Sequence, residues 1–516
     1  MKKLRRSLSV FLVAVMCVGI FSACGNNAAT SQVFVYGTAQ EPGSLNPDAL
    51  DEPYGYSIYQ NIFNRLVKST NSFEIVPDLA DSWSFSDDGL ELTFSLHKGV
   101  KWHDGIAFTS ADVKWTFDTI VSAHGYAEAS FANVEEILCP NDNTVVFRFK
   151  KPDASILSVL SRLGVFIMPM HIYDGTDWLN NAANQKPIGT GPFVFKEWVA
   201  GESITLQRND QYFGDIPKLD KAVFKFIPDE NTAYMSWINK EIDWYDSYPA
   251  AEVEKLKNNN EYVVIEKPTA NVTYITFNMN REPFSNKAVR EAISLLIDKN
   301  EILKKAFQGV GVIADSYIPP VYEDYLKKEY STPDRDIAKA RDILEKAGYV
   351  ANDDGYYLDI DFEYFSLDCF EDIAILLKAQ LKEAGINLKL NLIEYATWQE
   401  KVFNNRDFSM TMMNGNQGPT VFSTIARYDP DNATCISGYN SNDMRALINN
   451  AISSTNHESE LKAFADIQKL LSEDLPIVPI VEKVEFVPLR ANIHGHPLND
   501  SISKASADEL TYVYFS

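Results

Sequence analysis

Few residues of this 516-residue chain have the types and spacing that could do chemistry. Among seven histidines only His494-Gly495-His496 is close-spaced, and a lone His-x-His is a weak metal signal that a turn beside a strand explains as well. His103 sits in a glycine-broken loop, where a structural place is expected. The chain carries no GxSxG nucleophile elbow, no HExxH, no Walker A pattern and no GxGxxG after a strand. Carboxylate pairs abound among 71 acids and therefore discriminate nothing. Of five cysteines, Cys17 and Cys24 lie near the start, and Cys139, Cys369 and Cys435 are odd in number and widely spaced. They form no CxxC pair and no disulfide framework, with room for one unassigned bridge. No catalytic motif is advertised, and neither a cofactor nor a metal ligand set is expected.

One residue is marked for covalent chemistry by its surroundings. Lys2, Lys3, Arg5 and Arg6 lead into an apolar run of 14 residues, Leu8 to Phe21, followed by Ser22-Ala23-Cys24. This is the layout of a secretory signal peptide. The run falls short of the ~20 apolar residues that a bilayer span needs. Small residues before Cys24 resemble a bacterial lipobox, in which the cysteine is diacylated and becomes the new N-terminus; Phe21 stands where leucine is usual. Residues 24–31 then read as a small, polar, lipid-proximal tether after a leader of residues 1–23. The expected location is the outer face of the bacterial cytoplasmic membrane.

Losing the leader leaves 493 residues, enough for about three domains with substantial cores. The leader holds four of the 47 basic residues and none of the 71 acids, so the net charge moves from −24 to −28. So acidic a surface repels nucleic acid and anionic lipid. No second long apolar run appears.

Strand and helix patterns alternate, which predicts an α/β architecture. Thr144 to Lys150 alternates as a half-buried strand, while Val33–Tyr36 and Val223–Ile227 read as deeply buried ones. A helix is predicted from Ser285, capped by its hydroxyl, with Val289, Ala292, Ile293, Leu296 and Ile297 on one face. Others are predicted from Asp336 to a stop at Gly348, and from Glu371 to Ala384 before the strand Asn387–Ile393.

The densest motif run is Pro77-Asp-Leu-Ala-Asp-Ser-Trp83, Asp87-Asp-Gly89, Phe94-Ser-Leu-His-Lys-Gly-Val-Lys-Trp-His-Asp-Gly105 and Phe108-Thr-Ser-Ala-Asp-Val-Lys-Trp-Thr-Phe117. It reads as strand, tight turn, strand, loop and capped helix. Leu45-Asn46-Pro47, Pro187-Ile-Gly-Thr-Gly-Pro-Phe193 with Trp198, Arg208–Tyr212 with Pro217–Asp220, Phe277-Asn278 with Val289–Ala292, and Ala379–Ile386 follow in order. Together they resemble the family 5 extracellular solute-binding proteins, the peptide- and nickel-binding components of ABC importers, over nearly the whole mature chain.

That resemblance implies a bilobal periplasmic-binding-protein fold (type II, cluster C) with an inserted domain and two hinge strands. Domain I would comprise 32–54, 180–268 and 482–516, domain II 55–179, and domain III 269–481. It implies a peptide or peptide-like ligand, permease and ATPase partners, a lipid tie to the membrane, and a monomer. Thr38 and Gln40, Trp398, the loop residues Asn414, Asn416 and Gln417, and Arg427 are the candidate ligand contacts. Aligning Gly418-Pro419 with the relatives' Asp-Pro puts Gly415 where they carry an amine-binding aspartate. The expected ligand therefore lacks a free amine at that end, or another acid meets it. Three other readings stay open: a nickel or metal-chelate binder of the same family, a receptor for a peptide signal, and an extracytoplasmic hydrolase.

Overall fold

A computed structural model describes residues 31–48, 55–71, 73–119, 131–162, 165–245, 248, 250–367, 369–416, 418, 420–498 and 509–516. The leader and Cys24 lie outside them. Three main sheets organise the chain, each with its own core.

The first sheet has five strands in the spatial order Trp244–Tyr245, Val33–Thr38, Lys221–Phe226, Ser203–Arg208, Phe193–Val199. Val33–Thr38 runs parallel to both its neighbours, with Val33 opposite Lys221 and Gly37 opposite Tyr245. Phe34, Tyr36, Phe193, Ile204 and Phe224 form the core beneath it. A four-stranded antiparallel sheet, Ala80–Phe85, Glu91–Leu96, Thr144–Phe149 and Val134–Asn141, stands apart on a second core of Leu92, Phe94, Val113, Phe147 and Leu160. The alternation predicted at Thr144 is realised there: Val145, Phe147 and Phe149 point inward.

The six-stranded sheet runs Val312–Ile313, Ile477–Arg490, Tyr262–Phe277, Met410–Asn416, Leu358–Tyr364, Ile386–Leu392. The predicted helices pack on it. Phe370–Lys382 leads through Gly385 (φ +82°) into Ile386–Leu392, and Asp336 caps Ile337–Lys346 through the Lys339 N–H at 2.9 Å. The helix predicted from Ser285 forms over Lys287–Ser294, but Asn286 caps it, accepting the Ala288 N–H at 3.0 Å. The Ser285 hydroxyl bonds the Glu282 carboxylate instead.

Two long strands of this sheet pair along their length. Tyr262–Phe277 pairs with Ile477–Arg490 from Tyr262 opposite Arg490 to Thr276 opposite Ile477. Val487 and Leu489 enter the first lobe's core, whereas Ile275, Phe277 and Val478 enter that of the second. Between these halves the register slips at Pro268/Asn271, and Ala270 takes φ +53°. A positive φ costs a residue with a Cβ. The buried Glu482 carboxylate holds it by accepting the Ala270 N–H at 3.0 Å.

The loop after Glu91–Leu96 of the four-stranded sheet is fastened to the five-stranded half at the motif Gly189-Thr190-Gly191. His103 Nε2 donates to the Gly191 carbonyl at 3.0 Å, its Nδ1 accepts the Gly189 N–H at 3.2 Å, and its own N–H meets the Gly189 carbonyl at 2.9 Å. Only a neutral ring can do both, and burial pushes the imidazole down to about 4. Its ordinary value is near 6.5. Between pH 6.5 and 4 the unfolded chain therefore binds the extra proton, and stability falls as pH falls through that window. His103→Ala should cost about 1–2 kcal/mol near neutral pH. Its deficit should shrink towards pH 4, which urea titrations at several pH values would read.

Candidate ligand-binding site

The strand Met410–Asn416 delivers the candidate loop to the junction of the lobes. Asn414 pairs with Thr273, Gly415 with Val272 and Asn416 with Asn271, the residue at which the long strand breaks register. Asn414 is half-buried, and Gln417 lies outside the described residues. A Cβ built at Gly415 meets no atom within 4 Å, so packing does not demand glycine there. Gly418 differs. Its φ is +85°, a Cβ would lie 1.9 Å from that of Ser423, and its carbonyl accepts the Tyr322 O–H at 2.9 Å.

Arg427 follows the short helix Val421–Ile425. Its guanidinium carbon lies 4.7 Å from the Tyr274 ring centroid, a cation–π contact. Its Nε and Nη1 are buried without a hydrogen-bond partner. Among the described residues no carboxylate pairs with it. Buried donors facing no acceptor suit a carboxylate brought from outside.

On the first lobe, Thr38 ends its strand with its hydroxyl buried and unpartnered. Gln40, two residues on, is exposed. Both lie at the carboxyl end of a parallel pair, where open α/β sheets present their crevices. The neighbouring Trp244 and Tyr245 were not singled out in the sequence. The Tyr245 hydroxyl and Trp244 Nε1 are likewise buried without partners, and the Tyr245 ring packs 4.0 Å from that of Tyr248. Their only sequence signal was an aromatic pair ending a short strand.

Trp398 does not join these groups. It is 3% exposed in the second lobe's core, its ring 4.9 Å from that of Phe365 and its Nε1–H donating to Thr411 Oγ1 at 3.0 Å. A ring so enclosed has no face left for a ligand, which corrects its place among the candidate contacts. Gly495, at φ +67°, turns the His494-Gly495-His496 segment. His494 stacks near Tyr514, while His496 is buried against Trp244, ring centroids 4.4 Å apart. Burial drives the His496 ring down to about 3, keeping it neutral. Among the described residues no three of His, Cys, Asp and Glu converge on a metal-sized site. Nor is any described helix long and apolar enough to cross a membrane.

A two-lobed α/β body, joined by paired strands with unpartnered polar groups near the junction, has the architecture of a binding protein. Residues 74–431 match the family model for bacterial extracellular solute-binding proteins, family 5 (Middle), and the chain belongs to that family. Among curated relatives, Heme-binding protein A of Haemophilus influenzae is 26% identical, covering 96% of each chain. Oligopeptide-binding protein AppA of Bacillus subtilis is 27% identical, covering 96% of this chain and 98% of its own. The crystal structure of the ABC transporter substrate binding protein CtaP of Listeria monocytogenes superposes with a TM-score of 0.79 at 25% identity, over 94% of this chain and 99% of that one.

Proposed function

We propose that this protein captures a peptide or peptide-like solute between its lobes and delivers it to the permease and ATPase of an ABC importer. In this reading Cys24 carries the lipid that holds it, as a monomer, on the outer face of the membrane. Domain I spans 32–54, 180–268 and 482–516, domain II 55–179 and domain III 269–481, and the register slip at Pro268/Asn271 serves as the hinge. A ligand touching both lobes favours the closed state by the difference between its affinities for the two states.

The observation carrying this reading is half-buried Arg427, whose Nε and Nη1 are enclosed without an acid among the described residues. It would take the ligand's carboxylate. Gly415, with open space where an aspartate could stand, leaves the amine end unmatched. A buried ammonium without a carboxylate is strongly disfavoured. Calorimetry with matched peptides tests both ends. N-acetylated peptides should bind as tightly as free ones, and C-terminal amidation should weaken binding. A clear preference for the free amine would refute the assignment.

A further inference from the structure

The inserted domain touches the second lobe directly, away from the two joining strands. Its hairpin Val67–Ser69/Ile75–Pro77 carries Phe73 at the tip. Phe73 has φ +63°, which a bulky residue adopts only when its surroundings impose it. Those surroundings are visible: the Phe73 N–H donates to the Thr70 carbonyl at 3.1 Å, and the Thr70 N–H to that of Glu74 at 2.9 Å. The ring so aimed packs on Tyr322 of the second lobe, centroids 5.2 Å apart and planes inclined at 54°. A second bridge lies farther out, where the Ala154 N–H donates to the Ile452 carbonyl at 2.6 Å.

Tyr322 stands at a crossing of two connections. Its hydroxyl donates to the Gly418 carbonyl, at the end of the loop that follows Asn414 and Gly415. The N–H of Val321 beside it donates at 3.1 Å to Glu482, the same carboxylate that holds Ala270 at the register slip. The tip of the inserted domain, the candidate ligand loop and the junction thus meet within two consecutive residues.

We propose that Phe73 is a strut across the flank of the cleft and Tyr322 a positioning residue: seated on Phe73, Tyr322 sets the ligand loop through Gly418 and braces the hinge through its neighbour. This rests on the solute-binding reading for its purpose, but not for its test. The arrangement would let the inserted domain, as well as the ligand, set the angle between the lobes, since rotation at the slip must slide the Phe73–Tyr322 contact.

Hydrogen exchange on the purified protein without added peptide separates the two ideas. Phe73→Ala should speed exchange about three- to tenfold at the Ala270 and Val321 amides and in segment 410–422, the range expected for one loosened hydrogen bond. The melting temperature should stay near wild type, because the ring sits on a loop tip. Phe73→Leu, which keeps an apolar knob, should restore wild-type exchange. Tyr322→Phe, which keeps the ring contact, should loosen 410–422 and leave Ala270 unchanged. Wild-type rates in Phe73→Ala, or equal loosening of Ala270 in Tyr322→Phe, would overturn the proposal and leave peptide binding untouched.

Discussion

Replacing Arg427 with methionine should weaken binding of a peptide with a free carboxylate by about 2–5 kcal/mol, the usual cost of removing one side of a buried charge pair. The folded protein should meanwhile lose nothing. Nε and Nη1 of Arg427 are buried without partners, and donors so placed burden the fold, relieved only in part by the Tyr274 ring. An apolar side chain of similar length should leave the melting temperature unchanged or raise it. Lower affinity with undiminished stability is the signature of a group held for a ligand. Arg427→Lys should fall between, because an ammonium cannot reproduce the two-pronged geometry. Calorimetry and thermal melts on the three proteins would check this, and equal affinity of wild type and Arg427→Met for the same peptide would dismiss the role.

The largest loss of stability is expected from one methyl group. A Cβ at Gly189 would lie 1.9 Å from the Ile62 carbonyl oxygen, and one at Gly191 would lie 2.5 Å from the Ile62 carbonyl carbon. Both obstacles are backbone, which cannot swing aside as a side chain can. The Gly191 N–H also donates to Ile62 O at 2.8 Å, so the contact cannot open without breaking a hydrogen bond. Gly189→Ala should therefore cost more than about 4 kcal/mol, a size reserved for severe disruptions. Gly99→Ala is the matched control. Its φ is +77° and nothing lies within 4 Å of its Cβ, so only backbone preference opposes it, at roughly 1 kcal/mol. Urea denaturation of the two variants would give the contrast, and similar midpoints would contradict it.

Elements whose signal is local were legible in the sequence. Thr144–Phe149 alternates because one face alone is buried, and the Asp336 cap and the glycine at 385 mark helix ends through backbone groups nearby. The family motifs were legible for a related reason, since glycines such as Gly189 record a close approach that permits no other residue. What failed is what the choice among competing partners decides. Ser285 and Asn286 are both good caps, and the choice fell to Asn286 once Ser285 turned to Glu282. Trp398 was a candidate contact on a helical face, but Phe365 and Thr411 enclose it. Arg427 was legible as a candidate ligand contact; that no described acid meets it needed every neighbour in place. Trp244 and Tyr245 gave almost no warning, because their standing comes from lying beside Val33–Thr38, some 200 residues earlier.

The pairing of Thr276 with Ile477 has a further consequence. Residues 278–476 depart from one strand and come back on its immediate neighbour, so their two ends lie only about 5 Å apart. Topologically that entire half of the molecule is one enormous excursion, closed at its base like the tip of a hairpin. Such a unit is exchangeable: a differently shaped half could be grafted onto the same stem without rethreading the remainder.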